Sequence, residues 1–188
     1  MDLEGEQMKL FRGCLVVVVA VLLSACAEKF VLTGSPEVGG LLVIDPTIRS
    51  KSFMGQESEP PVVNVVIRKV VGDLLIEGEP LKGVFVFQGL KPGEYQLISF
   101  STKPGKKEVV LTVPPDEEEL LSFRIEAGKP LFLGEILARQ DMHMKELGVH
   151  FALIPDTERE RAAWEMLLEQ SLRSQWKLVI EKYLATLS

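Results

Sequence analysis

Two methionines flank a histidine in Met142-His143-Met144, the stretch of this sequence with the most distinctive side-chain chemistry. Thioether and imidazole groups suit copper, so the three residues are candidate metal ligands. Successive residues on a strand point to opposite faces, so all three could converge on one ion only from a loop. We favour the alternative in which both methionines are core residues and His143 lies at the surface.

Other reactive side chains have equally plain explanations. The acidic run Asp116-Glu117-Glu118-Glu119 follows two prolines, and adjacent carboxylates do not supply the six or more spaced oxygens of a calcium site. It is therefore predicted to be a solvated loop. His150 alternates with apolar neighbours and is predicted to be a half-exposed strand residue.

The sequence has no Gly-x-Ser-x-Gly, phosphate loop, dinucleotide fingerprint or zinc-ligand spacing. We expect no catalytic residues, no enzyme activity and no dissociable cofactor. A hydrolase whose site is assembled from distant residues, or a copper-handling protein, stays open as the alternative function.

The remaining chemistry lies in Cys26, one of two cysteines. Lys9 and Arg12 precede an unbroken apolar run at 14–23, which is shorter than the roughly 20 residues needed to span a bilayer. A basic segment, a short apolar run and small residues are typical of a signal peptide. Residues 1–7 are acidic and precede this pattern, which favours Met8 as the true start.

Leu23-Ser24-Ala25-Cys26 resembles the lipobox of bacterial lipoproteins at every position. The resemblance implies removal of residues 1–25 and lipidation of Cys26 by a diacylglyceryl group and an N-acyl chain such as palmitate. Several acyl chains anchor stably where one binds only marginally. The open alternative is an ordinary signal peptide, or a core strand, with a chance cysteine. Cys14 is lost with the signal, so no disulfide is expected in the mature chain.

Composition limits the partners. The formal net charge is -6 and there is no cluster of Lys or Arg, so nucleic acid is not an expected partner. The hydrophobic fraction of 46% is sufficient for a core. Ala27 follows the lipobox cysteine and resembles the default outer-membrane class of lipoproteins, which implies a periplasm-facing outer-membrane location if the source is Gram-negative.

Apolar alternation recurs through residues 40–155 and predicts an antiparallel β-sandwich of about seven to eight strands. The first strand is expected at 41–44, stopped by Asp45-Pro46, and 49–61 is expected to be a loop. Gly89-Leu90-Lys91-Pro92-Gly93-Glu94-Tyr95-Gln96-Leu97 resembles a stretch of transthyretin-like sandwiches, which include carboxypeptidase regulatory domains and collagen-adhesin B-type repeats. The resemblance implies a non-catalytic scaffold and transfers no site residue.

After Pro155 the apolar period becomes helical, with Trp164, Trp176 and Ile180 on one stripe. Residues 156–188 are therefore predicted to form one long helix or two short ones that pack on the sandwich, with two favoured. The predicted organisation is a signal peptide at 1–25, a lipidated tether at 26–39, the β-domain at 40–155 and the helical segment. The expected function is that of a membrane-anchored envelope lipoprotein, a non-catalytic binding or structural module with a protein partner in the envelope.

Overall fold

A computed structural model of the protein describes residues 30–51, 56–103, 107–143, 146–171 and 174–187. The contacts between residues group the chain into two compact units, Met1–Phe30 and Val31–Ser188. The elements described below belong to the second unit. Its described residues form eleven strands in two sheets and two helices at the C-terminal end. The protein is thus mainly β.

The first sheet contains β1 (Gly40–Lys51), β2 (Glu57–Ser58), β5 (Glu79–Leu81), β6 (Val84–Leu90), β10 (Pro130–His143) and β11 (Glu146–Ile154). Its order is β11-β10-β1-β6-β5, and β2 pairs with the end of β1. The second sheet contains β3 (Val62–Lys69), β4 (Leu74–Glu77), β7 (Gly93–Thr102), β8 (Val109–Thr112) and β9 (Ser122–Ile125). Its order is β4-β3-β7-β8, with β9 also on β7.

One hydrophobic core lies between the sheets. Leu42 and Ile44 of β1 meet residues of the second sheet such as Leu97, and Phe100 of β7 packs edge-to-face on Phe151 of β11 with ring centroids 5.8 Å apart. Alternate residues of each strand therefore fill the space between two layers, as in other packed sheets.

The helices are α1 (Thr157–Gln170) and α2 (Trp176–Leu184). Leu41 and Val43 point away from the core between the sheets, yet both are fully buried. Trp164 of α1 and Trp176 of α2 are fully buried as well, and both helices contact β10. The helices thus cover the outer face of the first sheet around β1 and β10, and these strands are buried on both sides there.

Two details of the predicted sandwich are wrong. The described residues include eleven strands rather than about seven to eight, and the short strands β2 and β5 are among those that the apolar pattern did not reveal. The sandwich is also not wholly antiparallel, since β1 and β10 run parallel. Parallel neighbours need a long crossover, and here the second sheet lies within the crossover between the two strands.

The predicted stop at Asp45-Pro46 is also wrong, because β1 continues to Lys51. Proline lacks the N–H that a central strand must donate on one side. Beyond Ile44, however, β6 no longer pairs with β1, and Pro46 is aligned only with Ile136 of β10. One edge of β1 is free of β6 at this point, so the proline is tolerated. The same extension replaces the first part of the loop expected at 49–61.

Candidate functional site

The most distinctive surface of the described chain is the end of the two-sheet body at which residues 33–39 enter β1. Thr33 donates its backbone N–H to Oε1 of Gln88 at 2.6 Å, and the N–H of Gly128 donates to the carbonyl of Gly39 at 3.0 Å. The segment therefore lies against the last residues of β6 and the turn before β10. We call this end of the body the entry end.

Close backbone contacts explain the glycines at this end. A Cβ on Gly40 would lie 2.3 Å from Cγ2 of Ile125, and a Cβ on Gly39 would lie 3.2 Å from Cα of Gly89. Any larger side chain would push the start of β1 away from β9 or from the end of β6. The pair Gly39-Gly40, which the sequence indicates as the end of the tether, is thus where the chain enters the sheet.

The segment from Gly89 to Leu97 forms a turn at the same end. The Tyr95 hydroxyl donates a 2.7 Å hydrogen bond to the carbonyl oxygen of Lys91, and the ring is almost fully buried. Gly93 adopts a φ of 150°, in the region that favours glycine. Burial raises the pKa of Tyr95 above its ordinary value. These residues hold the β6–β7 connection in place, so the segment has a structural role.

The β3–β4 hairpin projects from the entry end. Lys69 is aligned with Tyr95 and the N–H of Val70 donates to the carbonyl of Glu94 at 3.0 Å, which places the hairpin beside the start of β7. Exposed aliphatic side chains flank the Gly72-Asp73 turn. We call this segment the hairpin tip, and its four exposed aliphatic residues are Val70, Val71, Leu74 and Leu75.

A mainly apolar groove of about 440 Å³ also borders the entry end. It lies between α2 and the turn that precedes β10, with Pro130 and Val179 in its walls and Lys129 and Lys182 beside them. Leu178 at its rim is 75% exposed. The groove can accept an apolar group, and no described residue fills it.

A cluster of charged side chains lies on the helix-covered face. Nη1 of Arg159 donates to Oδ2 of Asp45 at 3.0 Å and lies 3.4 Å from Oε1 of Glu135. Asp156 caps the N-terminus of α1 through a 3.0 Å bond from the N–H of Arg159. Burial raises the pKa of Asp45, and the charges of Glu135 and Asp156 add to this, although Arg159 opposes it.

A bulge in β10 turns Glu135 towards this cluster. Val43 is aligned with Phe132 and Asp45 with Glu135, so β10 holds one residue more than β1 in this interval. Leu133 and Ile136 both pack on the core, three positions apart instead of two. Without the extra residue, strand alternation would place the carboxylate of Glu135 in the core. Gly134, at a φ of 88°, supplies the bulge.

A second polar network joins the two helices. The Tyr183 hydroxyl donates to Oε1 of Glu160 at 2.7 Å, and Nε1 of Trp164 lies 3.4 Å from the same oxygen. Burial, followed by the hydrogen bond and charge of Glu160, raises the pKa of Tyr183 to about 12. The tyrosine is thus a neutral hydrogen-bond donor at physiological pH, with a structural role.

None of the site residues predicted from the sequence belongs to the features described above. Cys26 lies outside the described residues, as does Met144. Met142 and His143 belong to β10, but their side chains are also outside the description. Over the described parts of the chain, no group of three or more His, Cys, Asp or Glu residues could hold a metal ion. None of the described helices combines the length and apolar character needed to cross a membrane.

The acidic run is only partly a solvated loop. Oε2 of Glu117 accepts a 2.7 Å hydrogen bond from the N–H of Phe151, while Oε1 lies 3.2 Å from Nδ1 of His150. Glu117 thus ties the run to β11. The side chain of His150 itself is 71% exposed.

The sequence did not predict the Arg159 cluster or the exposed hairpin tip. The one visible signal for the hairpin tip is Gly72-Asp73 between pairs of aliphatic residues.

No family model matches the sequence, and no curated protein matches it. One solved structure with partial similarity is a leucine-rich repeat protein from Bacteroides thetaiotaomicron VPI-5482, at 15% identity and a TM-score of 0.34. The alignment covers 54% of this chain and 14% of that one. The chain therefore spans a small part of that protein, and a likeness this distant supports no statement about function.

Proposed function

We propose that this protein is an envelope lipoprotein, held to a membrane by lipid on Cys26, in which the β-domain acts as a non-catalytic binding or structural module. The observation that carries the proposal is Leu23-Ser24-Ala25-Cys26 immediately after a basic segment and a short apolar run. A location in the outer membrane facing the periplasm is part of the proposal if the source is Gram-negative, since Ala27 follows the cysteine.

The described charges support a structural module over an enzyme. Ion pairs of Arg159 with Asp45 and Glu135 join α1 to the first sheet, and Glu117 accepts a hydrogen bond from a backbone N–H of β11. These groups have partners within the fold, whereas general acid or base catalysis needs a titratable group within reach of a substrate. The surfaces left for a partner are the entry end and the apolar groove.

The transthyretin-like relationship belongs to the same proposal. Its support is the segment from Gly89 to Leu97, which turns from one sheet into the other as a β6–β7 connection. Two features depart from a simple sandwich of that class, namely the parallel β1–β10 pair and the helical layer.

The anchor is tested by metabolic labelling with palmitate in a bacterial host. The full chain should incorporate label and mature to a shorter form, whereas Cys26→Ala should remain an unlabelled precursor. Cys14→Ala is the matched control, because this cysteine lies within the apolar run and should be removed with the signal. Label in Cys26→Ala, or equal loss in both variants, would reject the lipobox interpretation.

A further inference from the structure

Exposed aliphatic side chains are concentrated at the entry end of the β-domain. Eleven large hydrophobic residues are exposed among those that the structure describes, and five of them are Val38 and the four residues of the hairpin tip. By contrast, Val63 and Val110 lie at the opposite end of the second sheet, beside Thr102 and Ser101 of β7. Scattered exposed aliphatics need no explanation, but several at one end indicate an interaction surface.

The hairpin tip projects away from its own domain. A Cβ placed on Gly72 would find nothing within 4 Å, so the turn projects into open space. Val71 is 78% exposed. Asp73 adopts a φ of 49°, which closes the turn with both flanking aliphatic pairs directed outwards.

Charge at the tip is balanced, which lowers the cost of bringing it to an apolar boundary. Nε of Arg68 lies 3.8 Å from the carboxylate of Asp73, the one acidic residue of the turn. Nζ of Lys69 lies 5.9 Å from the ring centroid of Tyr95, behind the turn. Cationic residues set back from an apolar tip can remain in the polar headgroup layer while the tip enters the interface.

The proposed lipid anchor is attached to the chain only a few residues before this end of the β-domain. Val31 follows Cys26 by five residues, a length that spans at most about 18 Å even when fully extended. Two residues later Thr33 is already bound to Gln88 near the end of β6. A tether this short keeps the entry end close to the headgroups.

We propose that the hairpin tip docks into the interfacial layer of the phospholipid bilayer that carries the lipidated Cys26. The inference rests on the proposed anchor and adds a second contact, which gives the domain a fixed orientation. Because tethering makes the second contact intramolecular, a small apolar surface suffices where a free domain would not bind. The end of the second sheet with β8 then points away from the bilayer.

The test uses the full-length protein, expressed with its signal and extracted as the mature form. Val71→Cys is labelled with an environment-sensitive fluorophore, and the protein is reconstituted into phosphatidylcholine vesicles that contain a minor fraction of phosphatidylglycerol. Lipidation leaves Cys26 without a free thiol, so the unsubstituted protein is the labelling control. Val110→Cys is the matched control, since this valine is also exposed and lies at the opposite end of the same sheet.

Docking predicts that emission from position 71 shifts to shorter wavelength and is quenched by lipids that carry a nitroxide near the headgroup. Emission from position 110 should be unchanged and should stay open to quenching by iodide. If the protein floats with the vesicles but the label at 71 is quenched by iodide alone, the anchor stands and docking is overturned, leaving the tip free for a protein partner. Equal lipid quenching at both positions also overturns docking. If the protein does not float, the anchor fails and the inference fails with it.

Discussion

Arg159 and Asp45 are 114 positions apart in the sequence, and Nη1 of the arginine lies 3.0 Å from Oδ2 of the aspartate. The same nitrogen lies 3.4 Å from Oε1 of Glu135, a buried oxygen without a hydrogen-bond partner in the described structure. One cation therefore faces Asp45, Glu135 and also Asp156 at the joint between α1 and the first sheet. The cluster contains more negative than positive charge in a partly buried place.

Asp45→Asn should therefore not destabilise the protein at neutral pH. The folded state raises the pKa of Asp45 above 3.8, mainly through burial, so its stabilising contribution is present below that pH and is lost as the pH rises through the folded pKa. Asparagine avoids this loss and still accepts the bond from Arg159. We expect a free energy of unfolding at pH 7 equal to or above that of the parent.

The measurement is urea unfolding of parent and variant across a pH series. The difference in unfolding free energy should shrink as the pH falls below the ordinary Asp value of 3.8, where the parent side chain is protonated too. A variant that is clearly less stable at pH 7 would show that the Arg159 pairing outweighs burial.

Arg159→Met should have the opposite effect. The substitution keeps much of the side-chain volume but leaves three carboxylates without their cation, at a cost of about 1–3 kcal/mol in unfolding free energy at pH 7. The cost should decrease in acid as the carboxylates take up protons. Lys177→Met is a suitable control, because the Lys177–Glu181 pair is exposed and worth little. Equal losses from both substitutions would deny the cluster any special role.

The bulge at Gly134 can be tested with a pair of glycine substitutions. Gly134 and Gly83 adopt similar φ angles of 88° and 97°, but a Cβ on Gly134 would lie 2.7 Å from the carbonyl oxygen of Ile154, while one on Gly83 meets nothing. Gly83→Ala should cost about 1–2 kcal/mol from backbone conformation alone. Gly134→Ala should cost about 1–3 kcal/mol more because β11 must shift. Thermal unfolding of both variants provides the comparison, and equal costs would mean that β11 yields freely.

Alkaline titration reports on the two tyrosines of the chain. Burial raises the pKa of Tyr95 above 10.0, and burial with the Glu160 contact raises the pKa of Tyr183 to about 12. The stability that comes from keeping these phenols neutral is present below pH 10.0 and is lost as the pH rises through the folded values. The midpoint of the rise in tyrosinate absorbance should therefore lie above pH 10.0 and coincide with loss of the native circular dichroism. Glu160→Gln should bring the Tyr183 transition to lower pH, whereas ionisation of both tyrosines at pH 10.0 in folded protein would contradict the burial.

Two aliphatic residues of α2 distinguish a docked helix from a free arm. Ile180 is fully buried and Leu178 is 75% exposed, although they are two positions apart. Ile180→Ala should reduce the unfolding free energy by about 2–5 kcal/mol. Leu178→Ala should change it by less than about 0.5 kcal/mol. If chemical denaturation gives the same small effect for both, α2 does not depend on the sheet for its burial.

Local sequence determined the strands and helices that have a clear period. In β9, Phe123 and Ile125 are buried while Ser122 and Arg124 are exposed, as strand alternation predicts. The change to helical period after Pro155 likewise predicts the helical segment, in which α1 ends at Gln170 and α2 begins at Trp176. These elements can be predicted from the sequence because burial of one face gives a single strand or helix a regular spacing of apolar residues. The lipobox resemblance is local too, since it depends on four consecutive residues and the run before them.

Tertiary structure alone decided which distant segments become neighbours. The parallel alignment of β1 with β10 removes the expected stop at Pro46, because the ladder that the proline would break is absent on that side. The bulge at Gly134 then places Glu135 on the helix-covered face, where Arg159 can reach it. Neither result has a local signature, since each depends on the register between strands almost ninety residues apart. The entry end has the same origin, because the chain path brings residues 33–39, the β6–β7 turn and the β3–β4 hairpin to one end of the body only after both sheets have paired.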